Sequence, residues 1–332
     1  MSLAFARIEK ARKLVRGRRA GVGEKRINQV VADLAPFVRM DVKNGLTRFK
    51  NRVDPADLEK ALRSRKWDRL MESIPWDDLS ADLAKGEARL GKAAARVAGL
   101  TVGSLGGPAA ELRYSPDNPR MAAYIASRTG ELITVTRDGT LEAVRAAVTR
   151  QQKEGRTPRD VARDIRDSIG LNRPQARALD NFRRALERGR PGKVIPPTAP
   201  DQPAIRGPRQ VLPADQIDSM VDRQAEAYLD YRAMMIARTE TRLAANQGQI
   251  DVWTEALDQG ILPPGSRQIW VVDGRPCSIC LPMDGVPAPI GGTWTIRVPR
   301  SVRDGGGFAE RKVTNPTQSH PHCLCTVQVE MP

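Results

Sequence analysis

Histidine and cysteine are scarce, since the 332 residues include only two histidines and four cysteines. Aromatic residues make up 4% of the chain, which disfavours a large β-sandwich and favours helices with cores of leucine, valine, isoleucine and alanine. The longest uncharged run, 97–110, is too short to span a bilayer, and its glycines predict a loop or hinge. The segment from Met1 to Arg19 lacks the apolar core of a signal peptide. We therefore expect a cytosolic protein with reduced thiols and no membrane partner.

Acidic residues are in deficit, because 39 Asp and Glu oppose 54 Lys and Arg, for a formal net charge of +15. This balance makes nucleic acid the first partner to consider, although a solvated basic surface would give the same charge. Residues 1–26 form a basic N-terminal arm that we expect to contact DNA or another polyanion. Its candidate contact residues are Arg7, Lys10, Arg12, Lys13, Arg16, Arg18 and Arg19.

Helical patterns of apolar residues dominate the middle of the chain and predict a helical domain over 27–188. Asp54, Thr157 and Asn172 each stand where a helix should begin, and proline follows the first two directly. An Asp, Thr or Asn side chain accepts a hydrogen bond from a free amide of the first turn. Proline is tolerated at the first helical position. Helix starts are therefore expected at all three positions.

The rest of the chain divides by composition into three segments. Seven prolines in 189–214 predict an extended linker, because proline removes a backbone donor and fixes φ. A long helix is expected over 215–258. The segment 259–332 is rich in glycine, proline and short β-prone runs, which predict strands at 268–272, 293–298 and 326–329. The expected fold class is α+β, with a mainly α-helical body and a small C-terminal α+β subdomain.

All four cysteines and both histidines lie in the last 56 residues. A CxxC turn directs two sulfurs at one ion, and a second Cys/His group completes a tetrahedral Zn²⁺ site. About four of the six candidates are needed. The favoured set is Cys277, Cys280, either Cys323 or Cys325, and one histidine, and a site of four cysteines is the alternative. We predict a structural Zn²⁺ that staples a subdomain poor in core residues. The candidate ligands are Cys277, Cys280, His320, His322, Cys323 and Cys325.

Three other interpretations of the cluster stay open. The CxxC could be a disulfide or a redox pair, although no thioredoxin-like βαβ pattern surrounds it. The cysteines could be unrelated buried thiols, but chance rarely gathers every Cys and His into two groups. The metal could instead be catalytic, in which case Asp273, Asp284 and Glu310 are the nearby acids in sequence.

Several short motifs follow one another in a recognisable order from the long helix to the end of the chain. They are Ala237-Arg238-Thr239-Glu240-Thr241, Ala245-Asn246, Gly248, Trp253, Trp270, Asp273-Gly274-Arg275-Pro276-Cys277, Cys280, Met283-Asp284-Gly285 and His320-Pro321-His322-Cys323-Leu324-Cys325. This order resembles the C-terminal region of tailed-bacteriophage minor head proteins, the Mu F-like head morphogenesis family, over 237–326. The helices between Gly139 and Leu186 are similar in style. Leu324 departs from the pattern, which has arginine between the last cysteines.

The resemblance implies a non-enzymatic virion protein that acts in procapsid assembly at or near the portal. It would lie in the capsid interior near the portal vertex, and in the host cytoplasm during assembly. The implied partners are the portal protein, the major capsid or scaffolding protein, and phage DNA.

The Ala237–Thr241 motif lies on the predicted long helix. Arg238 and Arg242 share a face at the i, i+4 spacing, and Glu240 points elsewhere. Glu240 lacks a histidine, serine or cysteine partner in sequence outside the Cys/His cluster, which argues against a catalytic acid. We predict that this helix docks on the zinc subdomain through Arg238, Thr239, Glu240 and Asn246.

The rival function is enzymatic. A zinc-dependent nuclease, or a toxin-like effector acting on DNA, would account for the basic charge and the metal cluster. Against it, two histidines are too few to supply both ligands and a general base. A plain zinc-stapled DNA-binding protein is a third interpretation, for which the sequence has no recognition-helix signature.

Overall fold

Long helices make up most of the computed structural model. The residues that it describes are 18–20, 22–84, 86–105, 112, 118–189, 193–194, 205–206, 212–274, 276–300 and 306–332. The basic-arm residues Arg7, Lys10, Arg12, Lys13 and Arg16 lie outside these ranges, and only the backbone of Arg18 and Arg19 is described. Most of the expected linker 189–214 also lies outside them.

Nine α-helices fall within the described ranges: α1 (Glu24–Arg52), α2 (Pro55–Ser64), α3 (Trp67–Glu72), α4 (Trp76–Ala84), α5 (Glu87–Leu105), α6 (Pro119–Glu154), α7 (Pro158–Ser168), α8 (Arg173–Glu187) and α9 (Ala214–Asp258). The strands described are β1 (Arg18–Ala20), β2 (Lys193–Val194), β3 (Ile205–Arg206), β4 (Arg267–Val271), β5 (Pro287–Pro289), β6 (Trp294–Pro299), β7 (Phe308–Val313) and β8 (Thr326–Met331). The expected fold class is confirmed: a mainly helical chain with a small C-terminal strand subdomain. No helix within these ranges is both long and apolar enough to cross a bilayer.

Capping side chains begin three of the helices where the sequence predicts. The Asp54 carboxylate accepts from the amide of Ala56 at 2.8 Å before α2. Thr157 caps α7, and Asn172 forms a reciprocal capping box with Gln175 at the start of α8. These bonds satisfy amides that have no partner inside the helix.

The first part of the glycine-containing segment 97–110 is helical and not a loop, because α5 continues to Leu105. The prediction of a loop or hinge is therefore wrong for 97–105. Val97 and Thr101 are fully buried, and the Thr101 hydroxyl donates to the Val97 carbonyl at 2.8 Å. Burial of this face offsets the conformational cost of Gly99 and Gly103, which is about 1 kcal/mol each in a helix. Residues 106–110 lie outside the described ranges.

Contacts divide the chain into two units, and neither is continuous in sequence. The first unit takes in the described residues up to Val38, Glu87–Ala126 and Met235–Pro332. The second unit takes in Arg39–Gly86 and Ser127–Met234. Each unit therefore combines helical segments that are far apart in sequence.

A four-stranded antiparallel sheet in the first unit has the strand order β1-β8-β4-β5. Trp270 of β4 is opposite Val327 of β8, and both side chains are fully buried. The β6–β7 hairpin begins at the pair Trp294 and Val313. The Trp294 ring lies edge-on to Trp270, with ring centroids 5.5 Å apart. These side chains pack in the same core as the thiols of Cys280, Cys323 and Cys325.

Candidate metal centre

The first half of the cluster lies in a tight turn between β4 and β5. The amide of Cys280 donates to Sγ of Cys277 at 3.4 Å, and the amide of Leu281 donates to the Cys277 carbonyl at 2.9 Å. The loop is closed where the amide of Gly285 donates to the Trp270 carbonyl at 2.8 Å. Gly285 has φ +76°, a conformation that glycine adopts without steric cost. The turn therefore brings Cys277 and Cys280 close together.

The second half lies in the loop that leads into β8. A 3₁₀ turn at Pro316–Gln318 precedes it and is capped by Asn315, whose side chain accepts from the amide of Thr317 at 3.1 Å. The amide of Cys323 donates to the His320 carbonyl at 3.3 Å, which turns the chain back on itself. His320 and Cys323 thereby face the CxxC turn.

Five of the six predicted ligands come together. His320 Nε2 lies 3.0 Å from Sγ of Cys277 and 3.3 Å from Sγ of Cys280. Sγ of Cys280 lies 3.7 Å from Sγ of Cys323. The donor atoms form two groups that share Cys280, one with Cys277 and His320 and one with Cys323 and Cys325, and within each group they lie within 4.8 Å of one another. The cluster can therefore hold a metal ion.

No disulfide joins the four cysteines, and all four thiols are free. In particular, Cys277 and Cys280 are not bonded to each other, so the structure does not contain the disulfide considered for the CxxC.

Three of the thiols are buried, and each affects the pKa of its neighbours. Cys280, Cys323 and Cys325 are each at most 2% exposed. Hydrogen bonds from the thiols of Cys280 and Cys325 lower the pKa of Cys323. Hydrogen bonding with Cys323 and then Cys325 raises the pKa of Cys280. A thiolate at one position thus opposes ionisation of its neighbour, and a cation bound here would allow several thiolates to coexist at this spacing.

His322 lies apart from the other five candidates. Its backbone has φ 60°, an uncommon conformation for a residue with a side chain. Nε2 of its ring contacts the Met235 sulfur, and its amide donates to the Thr239 hydroxyl at 3.3 Å. Burial lowers the pKa of the His322 ring. His320 is accordingly the histidine of the cluster.

Helix α9 holds the cluster loop through buried polar side chains. Nδ2 of Asn246 donates to the Cys325 carbonyl at 3.2 Å and to the Thr317 hydroxyl at 3.1 Å. Thr239 contacts the loop at His322, as described above. Of the other two residues predicted to dock, Glu240 is buried and Arg238 is exposed.

Arg242 also contacts the cluster loop, although it is not among the residues of the long helix that the sequence predicts to dock there. Its guanidinium is buried, donates to the carbonyl of Cys325 at 3.4 Å, and also contacts the carbonyl of Leu324 and Oδ1 of Asn28. Arg238 and Arg242 share a helix face by spacing, yet one is exposed and the other lies in the core. The i, i+4 pair alone does not distinguish them, because the difference depends on the distant loop.

A cavity of about 410 Å³ opens beside the cluster. Besides the thiols and both histidines, Glu24 and Asp273 line it. The other two acids near the cluster in sequence are placed differently. Asp284 accepts from the amide of Val272 at 3.2 Å, and Glu310 is exposed on β7.

No protein-family model, curated protein or solved structure matches the chain.

Proposed function

We propose that the cluster binds one structural Zn²⁺ through Cys277, Cys280, His320 and Cys323. A tetrahedral ion with bonds of about 2.0–2.3 Å places its donor atoms about 3.5–3.8 Å apart. Three separations among these donor atoms, 3.0, 3.3 and 3.7 Å, are close to that range, and Cys280 is the donor shared by the two groups. Soft sulfur donors combined with one imidazole suit zinc better than magnesium or calcium.

The ion would join two loops that are 43 residues apart in sequence, as measured from Cys280 to Cys323. Its binding free energy would then be folding free energy for the strand subdomain. Metal analysis of the purified protein, followed by chelator titration, tests this proposal. One zinc per chain, and loss of the subdomain's structure on chelation, are expected. A fully folded protein without metal would overturn it.

We further propose that the protein is a non-enzymatic minor head protein of a tailed bacteriophage. One observation carries this proposal: the motifs of the resemblance meet in a single structural unit. Asn246 and Arg242 of α9 bind the backbone of Cys325, so the helix motif and the Cys/His motif depend on each other.

The features of the chain are compatible with that role. A closed metal site stiffens a small subdomain and needs no substrate. The net charge of +15 suits a protein that meets packaged DNA in the capsid interior.

The test is to tag the chain in its native genetic setting and to identify its partners by mass spectrometry. Portal and capsid proteins should co-purify, and the tag should appear at low copy number in gradient-purified heads. The Cys280→Ser variant should be lost from heads, whereas His322→Ala, which changes a residue outside the cluster, should be retained. Absence of the unaltered chain from heads would overturn the proposal.

The cavity beside the cluster favours one rival, a zinc-dependent nuclease. Glu24 and Asp273 line the cavity together with His320, and a carboxylate beside a metal is the usual general base of hydrolytic zinc sites. The rival needs an open coordination position, which four protein ligands would not leave. Cleavage of DNA by the zinc-loaded protein, abolished in both Glu24→Gln and Asp273→Asn, would favour the nuclease over the head protein.

A further inference from the structure

The β6–β7 hairpin carries an excess of exposed positive charge. Within 294–300 and 306–313 there are four cations and one acid, Glu310. All five of these side chains are exposed. The cations are Arg297, Arg300, Arg311 and Lys312.

The strand register places these cations in a defined pattern. Arg297 is opposite Glu310, and Lys312 is opposite Thr295. Arg297 and Lys312 therefore share one face as diagonal neighbours, about 7–8 Å apart. Arg311 is opposite Ile296, on the other face. The hairpin thus presents positive charge on both sides, and Glu310 shares the face of Arg297 and Lys312.

The base of the hairpin is fixed, and its outer part is solvated. Trp294 and Val313 at the base are at most 3% exposed. Further out, Phe308 is 58% exposed, and the Arg297 guanidinium lies over its ring at 5.1 Å. This contact holds the guanidinium while leaving its donors available. No ion pair joins the four cations to another residue that the structure describes.

We infer that the β6–β7 hairpin binds nucleic acid through its phosphate backbone. Exposed, unpaired cations arranged along a ribbon match the charge of a polyphosphate chain. Phe308 adds an aromatic face beside Arg297, a combination that also suits contact with bases. The inference stands on the charge and register of the hairpin and does not need the proposed head function. It concerns other residues than the basic arm.

The test measures the salt dependence of binding to a short DNA duplex by fluorescence anisotropy. Each phosphate contact contributes about 0.9 to the slope of log affinity against log salt. The double variant Arg297→Gln/Lys312→Gln should lower that slope by about 1.8 if both cations contact phosphate. Zinc content and circular dichroism of the variant check that the fold is retained.

A matched control is Arg159→Gln/Arg177→Gln, which removes two exposed cations from α7 and α8. It lowers the net charge by the same amount, so a general charge effect would change both variants equally. Equal changes in slope would overturn the inference. A competition experiment provides the second test. Polyglutamate and unlabelled DNA are each added to the protein bound to the labelled duplex. If polyglutamate releases the duplex as effectively as unlabelled DNA does, the partner is an acidic protein and the inference fails.

Discussion

The buried Asn246 side chain connects the long helix to Cys325 and Thr326 through both the nitrogen and the oxygen of its amide. Its Nδ2 donates to the Cys325 carbonyl at 3.2 Å, while its Oδ1 accepts from the Thr326 hydroxyl at 3.1 Å. The residue is fully buried. One side chain thereby holds both Cys325 and Thr326, the first residue of β8, which fixes where Cys325 lies relative to α9.

Replacing Asn246 by alanine should therefore destabilise the protein. The change leaves the Cys325 carbonyl and the Thr326 hydroxyl with fewer partners in a dry site, and we expect a loss of about 2–4 kcal/mol. Urea unfolding measures it. Gln247→Ala is the matched control, because the hydrogen bond that the structure describes for this side chain stays within the helix, to Asp251 at 2.9 Å. It should cost about 0.5 kcal/mol or less. Equal losses in both variants would contradict the role assigned to Asn246.

Ligand substitutions should distinguish the residues that bind metal from those that lie close to it. Cys323→Ser should lose the metal, because its sulfur is 3.7 Å from Sγ of Cys280 and completes the proposed set. Cys325→Ser and His322→Ala should each keep one zinc per chain. Inductively coupled plasma mass spectrometry of the purified variants measures this directly. A Cys325→Ser protein without zinc, beside a zinc-loaded Cys323→Ser protein, would reverse the assignment.

Local signals in the sequence predict the helix starts well. Asp54, Thr157 and Asn172 cap helices because each side chain bonds an amide within three residues, so the whole interaction is visible in a short window. The grouping of the Cys/His residues is equally plain, since they are so few. In contrast, the loop predicted from Gly99 and Gly103 is wrong, because burial of the opposite face outweighs glycine's low helix propensity.

Contacts between distant residues could not be predicted in the same way. Arg242 binds Cys325, 83 positions away, and the spacing on α9 gives no reason to prefer it over Arg238. The distinction between His320 and His322 also depends on the fold, because the φ of 60° at His322 directs its ring to Met235. The pairing of β1 with β8 joins two ends of the chain, which no local pattern anticipates.

The second unit should show a pH dependence that originates at Asp167. Burial raises the pKa of its carboxyl to about 6 from an ordinary 3.8, against the opposing effect of Arg183 and with a contribution from Asp222. Between these two values the folded protein holds a proton that the unfolded chain has released. This contribution to stability is therefore present at low pH and is lost as the pH rises through 6, by about 3 kcal/mol at most.

The variant Asp167→Asn isolates that contribution. Asparagine has nearly the shape of the protonated carboxyl and does not titrate, so the variant should lack this fall in stability. The free energy of unfolding in urea, measured from pH 4 to pH 7, should drop more steeply in the unaltered protein than in the variant. Parallel curves would show that Asp167 titrates normally in the fold.

Gly248 should be intolerant of any side chain, because α9 and α5 approach each other there. A Cβ at this position would overlap the Ala94 carbonyl oxygen and lie 3.0 Å from its carbonyl carbon. Backbone cannot yield as a side chain does, so Gly248→Ala should cost about 1–3 kcal/mol despite alanine's higher helix propensity.

Gly99→Ala on α5 is the control, since nothing lies within 4 Å of its Cβ. That substitution should stabilise the protein by about 0.5–1 kcal/mol, because it reduces the freedom of the unfolded chain. Thermal and urea unfolding of the two variants should therefore shift in opposite directions. A stabilised Gly248→Ala protein would mean that the helices separate there at no cost.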